Sequence, residues 1–469
     1  MHKKKGGYRY MSKQLTKEQA SAELKKWDEV AKKKQPANYM VILIILLALV
    51  YIVDEITSNI ASTVQPNVVN EFFVQKQGID YNTGLSNLSF MSMAGYLITF
   101  IVPFYKALAD KFGRKKFLAI NTIGMGMGMT ICMLSSNVIM YIAGVLVASL
   151  FTPNDMQVMY IMETASEKHR AKLCSITKAC GYLGVTCIPL LRLTLMHNDG
   201  NQWRKIYSVP VIMAFVIGAI CFAYVRETPV FLAQRSEVLK HTLDEVDESA
   251  KKSEGNGGVL NAIKFIAKHK QIRYTAICAF VFAMSIAVTG FYTSIMATNG
   301  MDDAMVTKAL FAYPIMNALM TFTAGFMEDR MGRKKAALSL ALICFVMLIL
   351  FMVGCGQSWN PYVIGVCYGI FVGAFWSVSD LLFLIIPGES VPTYIRSSVL
   401  GTLTLLLFFG GVLSTLIVTI GMRFVTNLDG LCLGVCVPFM ALCIIILLTK
   451  VHETRGVDMD AITGDEYDN

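Results

Sequence analysis

The feature that most constrains this chain is a series of twelve apolar stretches, each about as long as the ~20 residues a helix needs to cross a bilayer core. They fall at approximately 38–63, 84–105, 117–136, 138–163, 171–196, 206–225, 274–298, 309–327, 336–354, 361–387, 397–420 and 428–449. Length alone would suit two or three soluble domains. Composition argues otherwise, because only 16% of the residues are charged and the mean hydropathy is +0.53. A soluble domain carries about 25% charged residues, so most of this chain does not face water. The expected fold is an all-α membrane protein, with twelve transmembrane helices in two pseudo-symmetric six-helix bundles.

Orientation follows from the basic residues. Placing the N-terminus in the cytoplasm puts 35 Lys and Arg inside and five outside, with Lys178 and Arg192 lying within the fifth span. Cytoplasmic segments are the basic ones, so both termini are expected in the cytoplasm, in a multi-pass protein of the plasma membrane. The net charge of +9 is then a topology signal and gives no reason to expect nucleic acid. The N-terminus is long and polar and the first span lacks a small-residue cleavage site, so that span is expected to remain as an uncleaved anchor. The 12 Cys sit mostly in apolar stretches and read as small buried hydrophobes. Gly124, Gly126 and Gly128 read as close helix packing rather than a nucleotide loop. With six His, mostly in loops, and no His-Glu-x-x-His, Gly-x-Ser-x-Gly or phosphate-loop pattern, neither a metal, a cofactor nor an enzyme is expected.

The chain divides into a cytoplasmic tail (1–37), a first bundle (38–225), a polar central loop (226–273), a second bundle (274–449) and a short tail (450–469). Val259–Ile272 has helical apolar spacing with basic residues between, which predicts a surface linker helix on the cytoplasmic side. The halves repeat. Glu163 and Arg170 stand seven apart after the fourth span, and Glu389 and Arg396 stand seven apart after the tenth, at an offset of 226. Glu227-Thr228 and Glu453-Thr454 share that offset. The loop Asp110-Lys-Phe-Gly113-Arg114-Lys-Lys recurs as Asp329-Arg-Met-Gly332-Arg333-Lys-Lys. Four matched features in one order indicate an internal duplication, and paired six-span repeats are a transporter architecture.

These loops resemble the signature of the major facilitator superfamily, and the resemblance covers essentially the whole chain. The second copy carries Gly325 at the leading position of the signature, whereas the first has Lys106 there. Glu389-Ser-Val-Pro-Thr-Tyr-Ile-Arg396, Arg226-Glu-Thr-Pro229 and Glu453-Thr-Arg-Gly456 resemble the sugar porter, organic ion and aromatic acid symporter branch. The marks of hexose binding are absent: the seventh span has no Gln-rich cluster, and the fourth lacks an early Arg. The resemblance implies that the signature residues latch the cytoplasmic side in the outward-open state. Physically, Gly113 and Gly332 permit tight turns, and Asp110 and Asp329 suit a neighbouring helix N-terminus. The basic runs that begin at Arg114 and Arg333 can pair with Glu163 and Glu389. The plainer alternative for the cations is that they only set topology.

Ionisable groups within spans are costly and usually face a cavity or a partner. They are Asp54, Glu55, Asp155, Lys178, Arg192 and Asp380. At about 1.5 Å per residue, Asp155 lies ~12 Å and Lys178 ~10 Å from the inner face, which suggests a pair. Asp54 lies ~24 Å and Arg192 ~31 Å from it, so Arg192 can serve Asp54 or Glu55, or snorkel to the outer interface. Adjacent helical residues point about 100° apart, so Asp54 and Glu55 cannot share a partner squarely. Either is a candidate proton carrier, the alternative being a fixed ion pair. Trp376 and Ser379 beside Asp380 suit a solute site. The resulting expectation is a monomeric, proton-coupled symporter of a small organic ion or metabolite, working by alternating access in the lipid bilayer. Sugar uniport or symport, and a non-transporting solute sensor on the same fold, are the alternatives.

Overall fold

The computed structural model describes residues 17–32, 36, 38–95, 98, 101, 105, 113–152, 156–165, 167–197, 199–243 and 259–455. Among these, ten helices are long and apolar enough to cross a membrane. The chain runs α1 (Lys17–Lys32), α2 (Tyr39–Thr63), α3 (Tyr81–Ser92), α4 (Arg114–Met133), α5 (Val138–Phe151), α6 (Met156–Thr164) and α7 (Glu167–Gly184, continued by Cys187–Leu191 and a π turn, Arg192–Met196). There follow α8 (Gly200–Tyr224), α9 (Pro229–Leu243), α10 (Val259–Lys268), α11 (Lys270–Thr298) and α12 (Asp303–Met331). Last come α13 (Arg333–Gly356), α14 (Pro361–Ser390), α15 (Thr393–Gly421) and α16 (Leu428–Thr449). The second and fourth predicted spans are represented by α3 and by α5 with α6, and both continue into positions outside the described residues.

Helix starts at the two ends of the molecule are made differently. At the end away from the basic loops, α3, α5, α12, α14 and α16 begin at Asp80, Asn137, Asp302, Asn360 and Asn427, each accepting a first-turn backbone N–H. These short acceptor side chains satisfy amides that the helix itself leaves unpaired. At the basic-loop end, α4 and α13 begin at Gly113 (φ +103°) and Gly332 (φ +88°), which offer no side chain.

Glycines set the tightest helix crossings. A Cβ on Gly365, Gly369 or Gly373 of α14 would fall under 3.0 Å from α12 backbone at Ala309, Tyr313 or Asn317. In the first half, Gly128 of α4 lies on the Ala148 backbone of α5, and Gly126 on Ala214 of α8. Glycine at four-residue spacing lets helix backbones approach directly where lipid provides no hydrophobic drive for association.

Among the described residues, helices also form outside the spans. The 1–37 tail contains α1, which packs on α9 through a Glu23–Arg235 ion pair of 2.8 Å and an edge-on Trp27–Phe231 contact at 5.4 Å. The helix expected over Val259–Ile272 is broken at His269 (φ −88°, ψ 120°), so α10 ends there and α11 begins the seventh span four residues before the predicted start at 274. At the opposite end, Glu71 accepts hydrogen bonds from Arg204, Lys76 and the indole of fully buried Trp203. Burial pushes the Glu71 carboxyl up, but these three donors outweigh it and hold its pKa at about 2.

Candidate functional site

At the basic-loop end each half builds one cluster from the same residue types. In the first half, the Arg114 guanidinium pairs with Glu163 at 3.2 Å, and the Thr228 hydroxyl donates to the other Glu163 oxygen at 2.5 Å. Glu227 accepts the Arg114 and Lys115 backbone amides at 2.8 and 3.1 Å. In the second half, Arg333 pairs with Glu389 at 3.0 Å and Thr454 donates to Glu389 at 2.6 Å. Glu453 accepts the Arg333 and Lys334 amides at 2.7 and 3.2 Å. The glutamates therefore cap α4 and α13 from another segment, where negative charge meets the positive end of the helix dipole. A Cβ on Gly113 or Gly332 would sit under 3.0 Å from the Glu227 or Glu453 carboxylate, so glycine is required there on grounds of both φ and space.

At the opposite end the halves interlock. Arg192 is 1% exposed. Its Nη2 donates to Asp303 at 2.7 Å, its Nε to Thr307 at 3.0 Å and its Nη1 to the Thr63 carbonyl at 3.2 Å. Asn67 also donates to Asp303, at 3.1 Å. The Thr293 hydroxyl donates to the Ser62 carbonyl, Ser294 donates to Gln65, and Thr63 and Tyr292 share a hydrogen bond of 3.2 Å. Ser86 donates to the Thr419 carbonyl at 2.7 Å, and Arg423 to Asn87 at 3.1 Å. A cavity of about 290 Å³ remains around Arg192, Asn67 and Asp303. These contacts join the two halves at this end.

Midway between these ends, the adjacent acids of α2 reach different partners. Gln157 of α6, itself buried, donates to Asp54 at 2.9 Å. Asn59 donates to Glu55 at 3.5 Å and accepts the Tyr313 hydroxyl of α12 at 3.1 Å, linking Glu55 to the second half. Tyr313 belongs to an aromatic cluster in which Tyr292 and Tyr368 stack at 4.5 Å. On α14, Trp376 and Asp380 are exposed one turn apart on one face, while Ser379 is buried and donates to the Phe375 carbonyl. Lys178 is exposed on α7.

Several expectations need correction. Arg192 does not snorkel; it is buried, and its ion pair is with Asp303 rather than Asp54 or Glu55. Burying a guanidinium requires a partner carboxylate, and among the described residues Asp303 supplies it. Among the described residues, Asp329 caps no helix. It is exposed and pairs within its own turn with Arg333 at 3.6 Å, leaving the capping role to Glu453. Asp110 and Asp155 lie outside the described residues, as does the expected Asp155–Lys178 pair; Arg170 lies on α7, but its side chain is outside the description. Arg396 donates to the Val391 carbonyl at 3.1 Å. Sequence reasoning missed Glu227, Glu453, Asp303 and Gln157 as site members. The 226 offset of the Glu-Thr pairs was the available signal for the first two. Nothing in the local pattern singles out Asp303, which stands in the first turn of α12.

Comparison with known proteins agrees with this architecture. The family model described as Major Facilitator Superfamily matches residues 38–415. The glucose transporter GlcP of Staphylococcus epidermidis is 24% identical over 380 residues, covering 76% of this chain and 83% of that one. Organic cation/carnitine transporter 3 of Arabidopsis thaliana is 25% identical over 328 residues, covering 65% of this chain and 60% of that one. Among solved structures, the partially occluded inward-open xylose transporter XylE of E. coli superposes with a TM-score of 0.65 at 15% identity, covering 90% of this chain and 99% of that one.

Proposed function

The chain belongs to the major facilitator superfamily, and from that premise we propose that it is a secondary active transporter that carries a small organic ion or metabolite together with protons by alternating access. The observation that carries this reading is the outer interlock: a buried Arg192–Asp303 pair joins the halves at one end, while the signature clusters at the other end close within each half. Such an arrangement can rock. Breaking the interlock frees the outer ends, and the inner clusters can then approach one another. In this reading the structure is the inward-facing state, with the basic loops and both termini in the cytoplasm of a plasma-membrane protein. The bundles span 38–225 and 274–449, and the protein works as a monomer.

Proton coupling is assigned to Glu55, with Asp54 as its neighbour. Glu55 reaches the second half through Asn59 and Tyr313, so its charge state is coupled to a contact between the halves. Solute recognition is assigned to the Tyr292, Tyr313 and Tyr368 cluster and to the Trp376–Asp380 face, where aromatic surface and carboxylates suit a cation or a polar metabolite. The likeness to a glucose transporter favours a sugar as the second reading. A thermal-shift screen over organic amines, acids and sugars separates the two. Uptake into proteoliposomes under an imposed pH gradient then tests coupling. Glu55→Gln is expected to abolish gradient-driven accumulation while sparing solute exchange. Full accumulation by both Glu55→Gln and Asp54→Asn overturns the coupling assignment. Solute binding with no flux in the unaltered protein supports a sensor instead.

A further inference from the structure

Helix α10 has two faces of different character. Ala262, Phe265 and His269 are buried, with the Phe265 and His269 rings 4.1 Å apart, and α10 packs on α15. The opposite side is apolar and uncovered: Leu260 is 67% and Ile263 49% exposed. Beside that stripe stand Lys264 and Lys268, both exposed. From Val259 to Tyr274 the chain carries Lys264, Lys268, Lys270 and Arg273 and no Asp or Glu.

The C-terminal end of α10 stands next to the start of the apolar helix that succeeds it. The break at His269 leads directly into α11, which from Lys270 is long and apolar enough to cross a membrane. Tyr274, in the first turns of that span, is flanked by Arg273 and Lys450, each within 5.7 Å of its ring centre. Tyr and cations at this level mark the headgroup region. A helix of 10 residues lying there, with exposed Leu and Ile bordered by lysines, matches the design of helices that rest in the membrane interface.

We propose that α10 is an anionic-phospholipid docking surface, with Leu260 and Ile263 entering the acyl boundary and Lys264 and Lys268 meeting lipid phosphates. The occupant is a lipid surface rather than a soluble protein, because the uncovered stripe lies at the headgroup level and its charge is all of one sign. Docking would hold α10 against α15 and so bias the inner end of the second half. The inference rests on the membrane-spanning reading of α11, and on neither the solute nor the sidedness.

The test uses the full-length protein in nanodiscs, whose two leaflets are identical. Hydrogen exchange of residues 259–268 is compared in phosphatidylcholine alone and in phosphatidylcholine mixed with phosphatidylglycerol. Exchange is expected to slow several-fold with phosphatidylglycerol. Lys264→Gln with Lys268→Gln should remove that difference without changing the phosphatidylcholine baseline. Leu260→Ser with Ile263→Ser should speed exchange in both lipids. Equal exchange of the unaltered protein in the two lipids overturns the proposal. So does equal protection by soluble glycerol phosphate added to phosphatidylcholine discs, which would make the ligand a free anion. Failure of solute uptake leaves this comparison intact, so the two readings stand or fall separately.

Discussion

Glu227 and Glu453 accept the same pair of backbone amides in the two halves, yet Glu227 is buried at 8% exposure and Glu453 is exposed. The difference comes from what lies above them. Phe231 of α9 covers the first cluster, with its ring 5.8 Å from the Arg114 guanidinium, and Trp27 of α1 packs on Phe231 in turn. The position 226 residues after Phe231 lies outside the described residues, so the second cluster is described without such a cover. Burial pushes the Glu227 carboxyl up, against the amides of Lys115, Thr228 and Arg114. At Glu453 burial works in the same direction, but the amides of Arg333, Arg455, Lys334 and Thr454 outweigh it and the pKa falls. One hydrogen-bond pattern therefore gives opposite electrostatic behaviour according to access of water. The first cluster is shielded, and the second is a contact that water reaches.

The largest expected difference is in the response to losing the arginine. Arg114→Ala leaves Glu163 and Glu227 beneath a cover without their cation, at a cost of about 3–5 kcal/mol. Arg333→Ala, at a wetter site, should cost about 1 kcal/mol or less. Thermal unfolding of the purified variants measures both, and equal losses would erase the contrast between the halves.

The pH response should differ in sign. A raised folded-state pKa at Glu227 contributes stability below the ordinary glutamate value of 4.5, and this is lost as pH rises through the raised value. A depressed one at Glu453 contributes stability above 4.5, and this is lost as pH falls through the depressed value. Acidification should therefore protect the first turn of α4 and loosen that of α13. Hydrogen exchange across a pH series, corrected for intrinsic rates, follows both turns; parallel trends would show that the cover over Glu227 does not matter.

The smallest effect is one in which the halves should agree. Thr228 and Thr454 are both buried and both donate to the glutamate of the ion pair. Thr228→Val and Thr454→Val should each cost about 1 kcal/mol, the net worth of one such hydrogen bond. A marked inequality would place the asymmetry in the hydroxyl contacts instead of the cover.

Much of this was legible in advance. Ten of the twelve expected spans, the duplicated loops and the pairing of the basic runs with Glu163 and Glu389 follow from apolar run length and from offsets of 219 and 226. The divergence of Asp54 and Glu55 follows from helix geometry alone. The fate of Arg192 did not follow. Depth along one helix cannot reveal that Asp303, which precedes the predicted eighth span, meets it from the other half. Asp329 misled because its place in the signature is conspicuous, whereas the carboxylate that reaches the helix start arrives from the chain segment beyond α16.

By itself the sequence determined which segments are long and apolar enough to cross a membrane, that they fall in two similar halves, and which residues of the basic-loop end are repeated. Those are local properties, since the demand for a continuous apolar run acts on each segment separately. Tertiary structure alone decided at which end the halves are joined, which carboxylate neutralises Arg192, and which of two equivalent glutamates is shielded from water. These depend on the relative placement of helices more than 100 residues apart in the chain, as Arg192 and Asp303 are. Burial and charge pairing are properties of that placement, and no single segment encodes them.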